Sequence, residues 1–200
     1  MKRLSIRVAL TGMLSVIAVA ILALSFTSYS SLSKLNANTQ EIGQYWMSRM
    51  VLARETKGNF NLMRLAYARL IMASTPSEID NEVKSINETA DLVRKSITEY
   101  EAGVRTETGR QLIAAVKPEF EAYKLLGEEL IEIKKDGQTL VATSLFKSKM
   151  KAQSDKVNTI VDDLVAKVIE NANKAVSDSA AVYQANLFAT LGIAAAYNSV

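Results

Sequence analysis

STPSEIDNEVKSINETADLVRKSITEYEAGV, residues Ser74–Val104, is the stretch that decides the fold. Thr75 is placed to cap a helix, Pro76 suits the first helical position, and Glu78 follows Thr75 by three residues, as a capping box requires. Behind this start, Ile79, Val83, Ile86, Ala90, Val93, Ile97, Tyr100 and Val104 recur at alternating steps of four and three. That spacing lays one apolar seam along a helix, and such a seam packs in a left-handed bundle. A single seam has no core of its own, so its partners lie elsewhere in the chain.

Toward the C-terminus, a break around Gly103–Gly109 offers Thr106 or Thr108 as the next cap. A third helix follows with Leu112, Val116, Tyr123, Leu126, Leu130 and Ile133. Glu119 interrupts it in a core-type slot, and Pro118 is expected to kink it or loosen its first turns. Lys135, Asp136 and Gly137 place a cation in a last turn and a glycine where a left-handed residue ends a helix. The fourth helix runs from about Thr139 through Phe146, Met150, Val157, Ile160, Leu164, Val168, Ala175 and Val182. The expectation is all-α: an antiparallel up-down four-helix bundle over residues 34–186.

Toward the N-terminus, the first helix has two faces. Ile42, Tyr45, Trp46, Leu52, Thr56, Phe60, Met63, Tyr67 and Leu70 form the broad one, a core contribution. Nearly opposite, Met47, Val51, Gly58, Leu65 and Met72 form a narrower stripe flanked by Arg54, Asn61 and Arg69. A helix at the corner of a monomeric bundle needs one apolar face, so the second predicts a homodimer packed through this helix. Arg54, Lys57, Asn61 and Arg64 step by three, four and three along one strip beside that interface. Repeated cations repel unless an anion intervenes. With Arg69, they form the candidate binding site for a small carboxylate ligand held by guanidinium groups across two subunits. The competing reading is a solvated face, or pairing with Glu82 and Glu88 of the second helix. Arg49 falls in the middle of the core face, where it is expected to pair with Glu119 or to snorkel outward.

Outside the bundle lies the membrane signal. Lys2, Arg3 and Arg7 precede an uncharged run from Val8 to Ser33, longer than the roughly 30 Å hydrocarbon core requires. A cleaved signal peptide begins in the same way, but its apolar core is shorter and ends in small residues. Here the run passes into Phe26, Tyr29 and Leu32. Residues 1–7 read as a cytoplasmic tail, 8–33 as a transmembrane helix continuous with the first bundle helix, and the bundle as extracytoplasmic. Residues 187–200 continue the fourth helix and read as the start of a second, incomplete transmembrane helix. The chain therefore reads as the front half of something longer.

Composition narrows the function. The chain holds 24 basic and 21 acidic residues, and beyond Lys2, Arg3 and Arg7 the two signs balance at 21 each. The pI near 9.0 reflects the tail rather than a surface built for phosphate backbones, so nucleic acid is not an expected partner. Cysteine and histidine are absent, which removes thiolate nucleophiles, disulfides, the usual zinc sites and imidazole catalysis. With 8 glycines, 2 prolines and no phosphate cradle or nucleophile elbow, no enzyme, metal or cofactor is expected.

Basic tail, span, four external helices and a fourth helix entering a second span together resemble the input half of a bacterial chemoreceptor. The segment Gln44, Tyr45, Trp46, Met47, Ser48 is similar to the tryptophan-containing stretch of the four-helix-bundle sensory domain of methyl-accepting chemotaxis proteins, with Ser48 where that family commonly has proline. The resemblance implies a dimeric inner-membrane receptor that binds a small extracytoplasmic molecule and signals through the fourth helix. It also implies a HAMP linker, methylation helices and a tip contacting the kinase CheA through the adaptor CheW, in a C-terminal half outside this chain. The same input could serve a sensor histidine kinase or a cyclic-dinucleotide enzyme, and a structural membrane-anchored bundle binding another protein is the reading from a different class.

Overall fold

A computed structural model describes residues 6–198, all of them helical apart from three short connections. α1 (Ile6–Gln40) passes through a π-helical turn, Glu41–Trp46, into α2 (Met47–Met72). α3 spans Pro76–Gly103, α4 Glu107–Lys135 and α5 Thr139–Leu145; a second π turn, Phe146–Met150, leads into α6 (Lys151–Asn198). The bundle is the compact unit Trp46–Asn171, and the remaining helical stretches form a second unit.

The helix ends are built by the residues the sequence marks. Thr75 Oγ1 accepts from the Glu78 amide at 3.3 Å, and Glu78 Oε2 accepts from the Ser74 and Thr75 amides at 2.7 and 3.1 Å. Thr106, not Thr108, caps α4 by accepting from the Gly109 amide at 3.2 Å. Gly137 has φ +76°, a left-handed turn that other residues resist, and it separates α4 from α5.

Neighbouring helices run antiparallel. Arg49 near the start of α2 meets the end of α3, and Arg69 near the end of α2 meets Glu82 near the start of α3. Arg94 pairs with Glu121 and Lys117 with Glu101 between α3 and α4, and Gln153 of α6 donates to Glu119 of α4. Diagonally, α2 and α4 share an aromatic core. Phe60 meets Phe120 and Tyr123 edge-on at centroid distances of 6.4 and 5.0 Å, and Tyr67 meets Tyr123 at 5.7 Å. The Tyr67 phenol lies directly against Gly127, where a Cβ would overlap it. Burial pushes both phenols up, Glu128 adding to the shift at Tyr67 and Tyr67 to that at Tyr123, while Arg64 pulls the other way at Tyr123.

The α3 seam is as expected: Ile86, Ala90, Val93, Ile97 and Tyr100 are buried, and Ser96 joins them by accepting from Thr56 at 2.9 Å. In α4 the expected seam is right at Val116, Tyr123 and Leu130 and one position off at the others. The buried set is Gly109, Ile113, Val116, Phe120, Tyr123, Gly127, Leu130 and Lys134, so Leu112, Leu126 and Ile133 are flanks. The true seam contains two glycines and a lysine, which an apolar count passes over. Lys134 is 6% exposed because its ammonium donates to the Ile71 carbonyl at 2.9 Å and to Thr139 Oγ1 at 3.1 Å, tying three helix ends together. Glu119 is half-buried beside the seam, and α4 continues unbroken through the exposed Pro118.

The second unit holds the apolar helix. From Ile6 onward α1 is long and apolar enough to cross a membrane, and it continues as helix into the bundle. Val8, Leu10, Met13, Leu14, Val16, Val19, Ile21, Leu22 and Phe26 are all exposed. Lys2 and Arg3 of the expected tail lie outside the described residues, as do 199 and 200; α6 is helical as far as Asn198.

Candidate functional site

α2 carries every residue of the expected site, and its two faces separate as the sequence predicts. Tyr45, Trp46, Leu52, Thr56, Phe60, Met63, Tyr67 and Leu70 are buried, with Ala53 and Ala66 between them and Ile42 half-buried. On the outer face Met47, Val51, Leu65 and Met72 are 50, 50, 49 and 70% exposed, far more than apolar side chains facing a core. Gly58 lies in the middle of this stripe, and a Cβ there would meet nothing within 4 Å. Nothing in the chain therefore requires a glycine at that point, where alanine favours helix by about 1 kcal/mol.

The polar strip divides into committed and open groups. Lys57 Nζ pairs with Asp162 of α6 at 2.5 Å. Arg69 Nε reaches both oxygens of Glu82 at 2.9 and 3.0 Å, and its Nη2 lies 3.5 Å from Ser85 Oγ. These two cations are neutralised within the chain, Arg69 by a carboxylate the sequence names and Lys57 by one it does not. Glu88 pairs with Lys84 of its own helix. Arg64 donates to the Asn61 side-chain oxygen at 3.3 Å, an uncharged partner. Arg54 is exposed and makes no hydrogen bond or ion pair among the described residues. What remains for an external anion is Arg54, Asn61 and Arg64, with Arg54 and Asn61 one heptad apart on the exposed stripe. Arg–carboxylate pairing there is chemically competent, since the guanidinium fork matches two carboxylate oxygens.

Arg49 does neither of the two things expected of it. Its Nη1 donates to the carbonyls of Glu99 and Tyr100 at 3.0 and 2.7 Å, and its guanidinium lies 5.5 Å from the centre of the Tyr100 ring. Glu119 is engaged elsewhere, accepting from Gln153 Nε2 at 2.6 Å, with Lys156 at 3.8 Å. The reason is position: Arg49 lies level with the end of α3, where carbonyls lack helical partners. No group of three or more acidic, histidine or cysteine side chains able to hold a metal occurs among the described residues.

With this arrangement established, comparison with known proteins gives one family. The family described as a four helix bundle sensory module for signal transduction matches residues 3–183, a range that takes in both the apolar helix and the bundle. No curated protein matches the chain.

Proposed function

The chain belongs to the family of four helix bundle sensory modules for signal transduction, and from that premise we propose that it is the ligand-sensing input of a transmembrane chemoreceptor of the methyl-accepting type. The observation that carries this reading is the extent of the family match, which joins a helix fit to cross a membrane to the bundle that follows it. In this reading Lys2, Arg3 and Arg7 hold the tail in the cytoplasm and the bundle lies outside the inner membrane. Two copies pack through the exposed stripe of α2, with Gly58 at the point of closest backbone approach. A small carboxylate binds between them on Arg54, Asn61 and Arg64, while Lys57 and Arg69 hold α2 to α6 and α3.

Signal passes because the ligand favours one of two arrangements of the bundle, the only way binding can shift an equilibrium. α6 is an uninterrupted 48-residue helix, about 70 Å long at 1.5 Å per residue, and helix shifts of about 1–2 Å are a recognised size of signal.

A thermal-shift screen of amino acids, organic acids and aromatic acids on the detergent-solubilised full chain tests the site. The expected result is stabilisation by at least one carboxylate, abolished by Arg54→Ala or Arg64→Ala and retained in Arg105→Lys, a surface control. Stabilisation that survives both alanine variants would remove the site from this strip. No response to any carboxylate would favour a bundle that binds another protein.

A further inference from the structure

Arg49 has a role that ligand binding leaves unused. The guanidinium bonds two successive carbonyls, Glu99 and Tyr100, close to the end of α3, where the helix dipole favours a cation. Its Nη2 lies 3.4 Å from Ser48 Oγ. The group occupies the space left by Gly103: a Cβ on that residue would fall 2.6–2.7 Å from Nη1, Cζ and Nη2 together. All three contacts are with the guanidinium at the far end of the Arg49 side chain, so a Cβ at Gly103 is accommodated by moving that group, and moving it takes Nη1 off the two carbonyls it bonds.

Gly103 is also the last residue of α3, with Val104 as its cap in extended backbone. The glycine is therefore not serving as a left-handed terminator; the only positive φ is at Gly137 among the described residues. What the structure gives Gly103 to do is leave room for Arg49.

We propose that Arg49 is a bolt fixing the register of α2 against α3 at the end of the bundle where α2 begins, and that Gly103 is its seat. The bolt is made of hydrogen bonds to backbone carbonyls, which repeat along a helix end. Successive carbonyls of a helix are turned by about 100°, so others on the same face lie about one turn, 5.4 Å, away, and a smaller slide of α2 along α3 breaks these bonds without offering replacements. The pair thus has discrete positions rather than a continuum. At the other end of the same two helices, the Arg69–Glu82 pair is a side-chain contact with no such repeat. Release of the bolt during signalling rests on the sensor reading above, but the bolt itself does not, and its test needs no ligand.

The experiment uses the full chain in detergent with Arg49→Ala, Arg49→Lys, Gly103→Ala and the Arg49→Ala/Gly103→Ala double variant. Thermal unfolding is read alongside spin-label distances, in spin-diluted samples, for one pair near the bolt (Glu55 and Thr98) and one at the far end of α2 and α3 (Met72 and Asn81). Gly103→Ala is expected to lower Tm by about 4 °C in the parent chain and to leave it unchanged or raised when Arg49 is already alanine, because alanine is then simply the better helix former. Arg49→Lys keeps the charge but loses the planar head that fills the space at Gly103 and places Nη2 beside Ser48, and is expected to broaden the near distance distribution as Arg49→Ala does, with the far pair unchanged. Three results would overturn the proposal: additive effects of the two alanine substitutions on Tm, a lysine variant with parental distances, or equal broadening at both ends. If Arg49→Ala does not fold, the Gly103→Ala and Arg49→Lys distances decide the matter alone.

Discussion

At the scale of single residues, the start of α3 makes a pH-dependent contribution whose direction follows from its hydrogen bonds. The amides of Ser74 and Thr75 on its carboxylate hold Glu78 below the usual carboxylate range, and Arg94 does the same for Glu121. A depressed folded value means that the stabilisation is fully present above the unfolded pKa of about 4.3 and is lost as pH falls through the lower folded value. Glu78→Gln retains the capping geometry without the charge. Relative to the parent, its Tm should be lower at about pH 6, and the deficit should shrink as pH falls below the unfolded value of about 4.3 and the Glu78 carboxylate takes up its proton. Thermal melts across that range check the sign, and a deficit that persists in acid would mean the charge is not what stabilises the cap. Thr75→Ala removes the other half of the box and should cost about 1 kcal/mol at every pH.

At the scale of elements, the second π turn explains where sequence reading loses the seam ahead of α6. The buried residues Ala142, Leu145, Met150, Ser154, Val157, Val161, Leu164 and Val168 step by three, five, four, three, four, three and four, and the single five spans Phe146–Met150. A reading confined to threes and fours takes Phe146 ahead of Met150 where Leu145 is the buried residue, and rejoins the seam at Met150; Ile160 in place of Val161 is a separate miss among ordinary threes and fours. Gly109, Gly127 and Lys134 occupy seam slots in α4 because Tyr67 needs room at Gly127 and because Lys134 finds two acceptors, facts that depend on the neighbouring helices. Seams of ordinary apolar residues and all three breaks were legible, as were the two faces of α2; the Lys57–Asp162 pair and the Arg49 contact were not, since both join residues distant in sequence. The π turn yields a prediction. Lys147, Ser148 and Lys149 are exposed, and deleting Ser148 turns the five into a four, so α-helix can continue with the downstream seam in phase. Circular dichroism should show unchanged helicity and a Tm equal to or above that of the parent, whereas deleting Asn87 from α3, which stores no extra residue, should unfold the bundle. A Ser148 deletion that melts like the Asn87 deletion would show that the turn is needed for itself.

At the scale of the whole molecule, the outer face of α2 decides whether one copy is enough. Met47, Val51, Leu65 and Met72 remain exposed after the core is complete, and Arg54, Gly58 and Asn61 continue the same heptad spacing between them. An apolar stripe one helix wide has the form of a coiled-coil seam, and a helix in the same register on a second copy would cover it. In a parallel pair related by a two-fold axis, each residue of the seam faces its own counterpart. Gly58→Cys is therefore expected to form a disulfide between copies under mild oxidation, because the absence of a side chain places the backbones closest there. Asn87→Cys on the exposed surface of α3 should form none. Val51→Glu puts like charges opposite each other across the seam and should shift the detergent-solubilised chain from dimer toward monomer in analytical ultracentrifugation, at unchanged helicity because Val51 takes no part in the core. If the Val51→Glu chain sediments as the parent does and Gly58→Cys cross-links no faster than Asn87→Cys, the stripe faces something other than a second copy, and a site shared between subunits on Arg54, Asn61 and Arg64 goes with it.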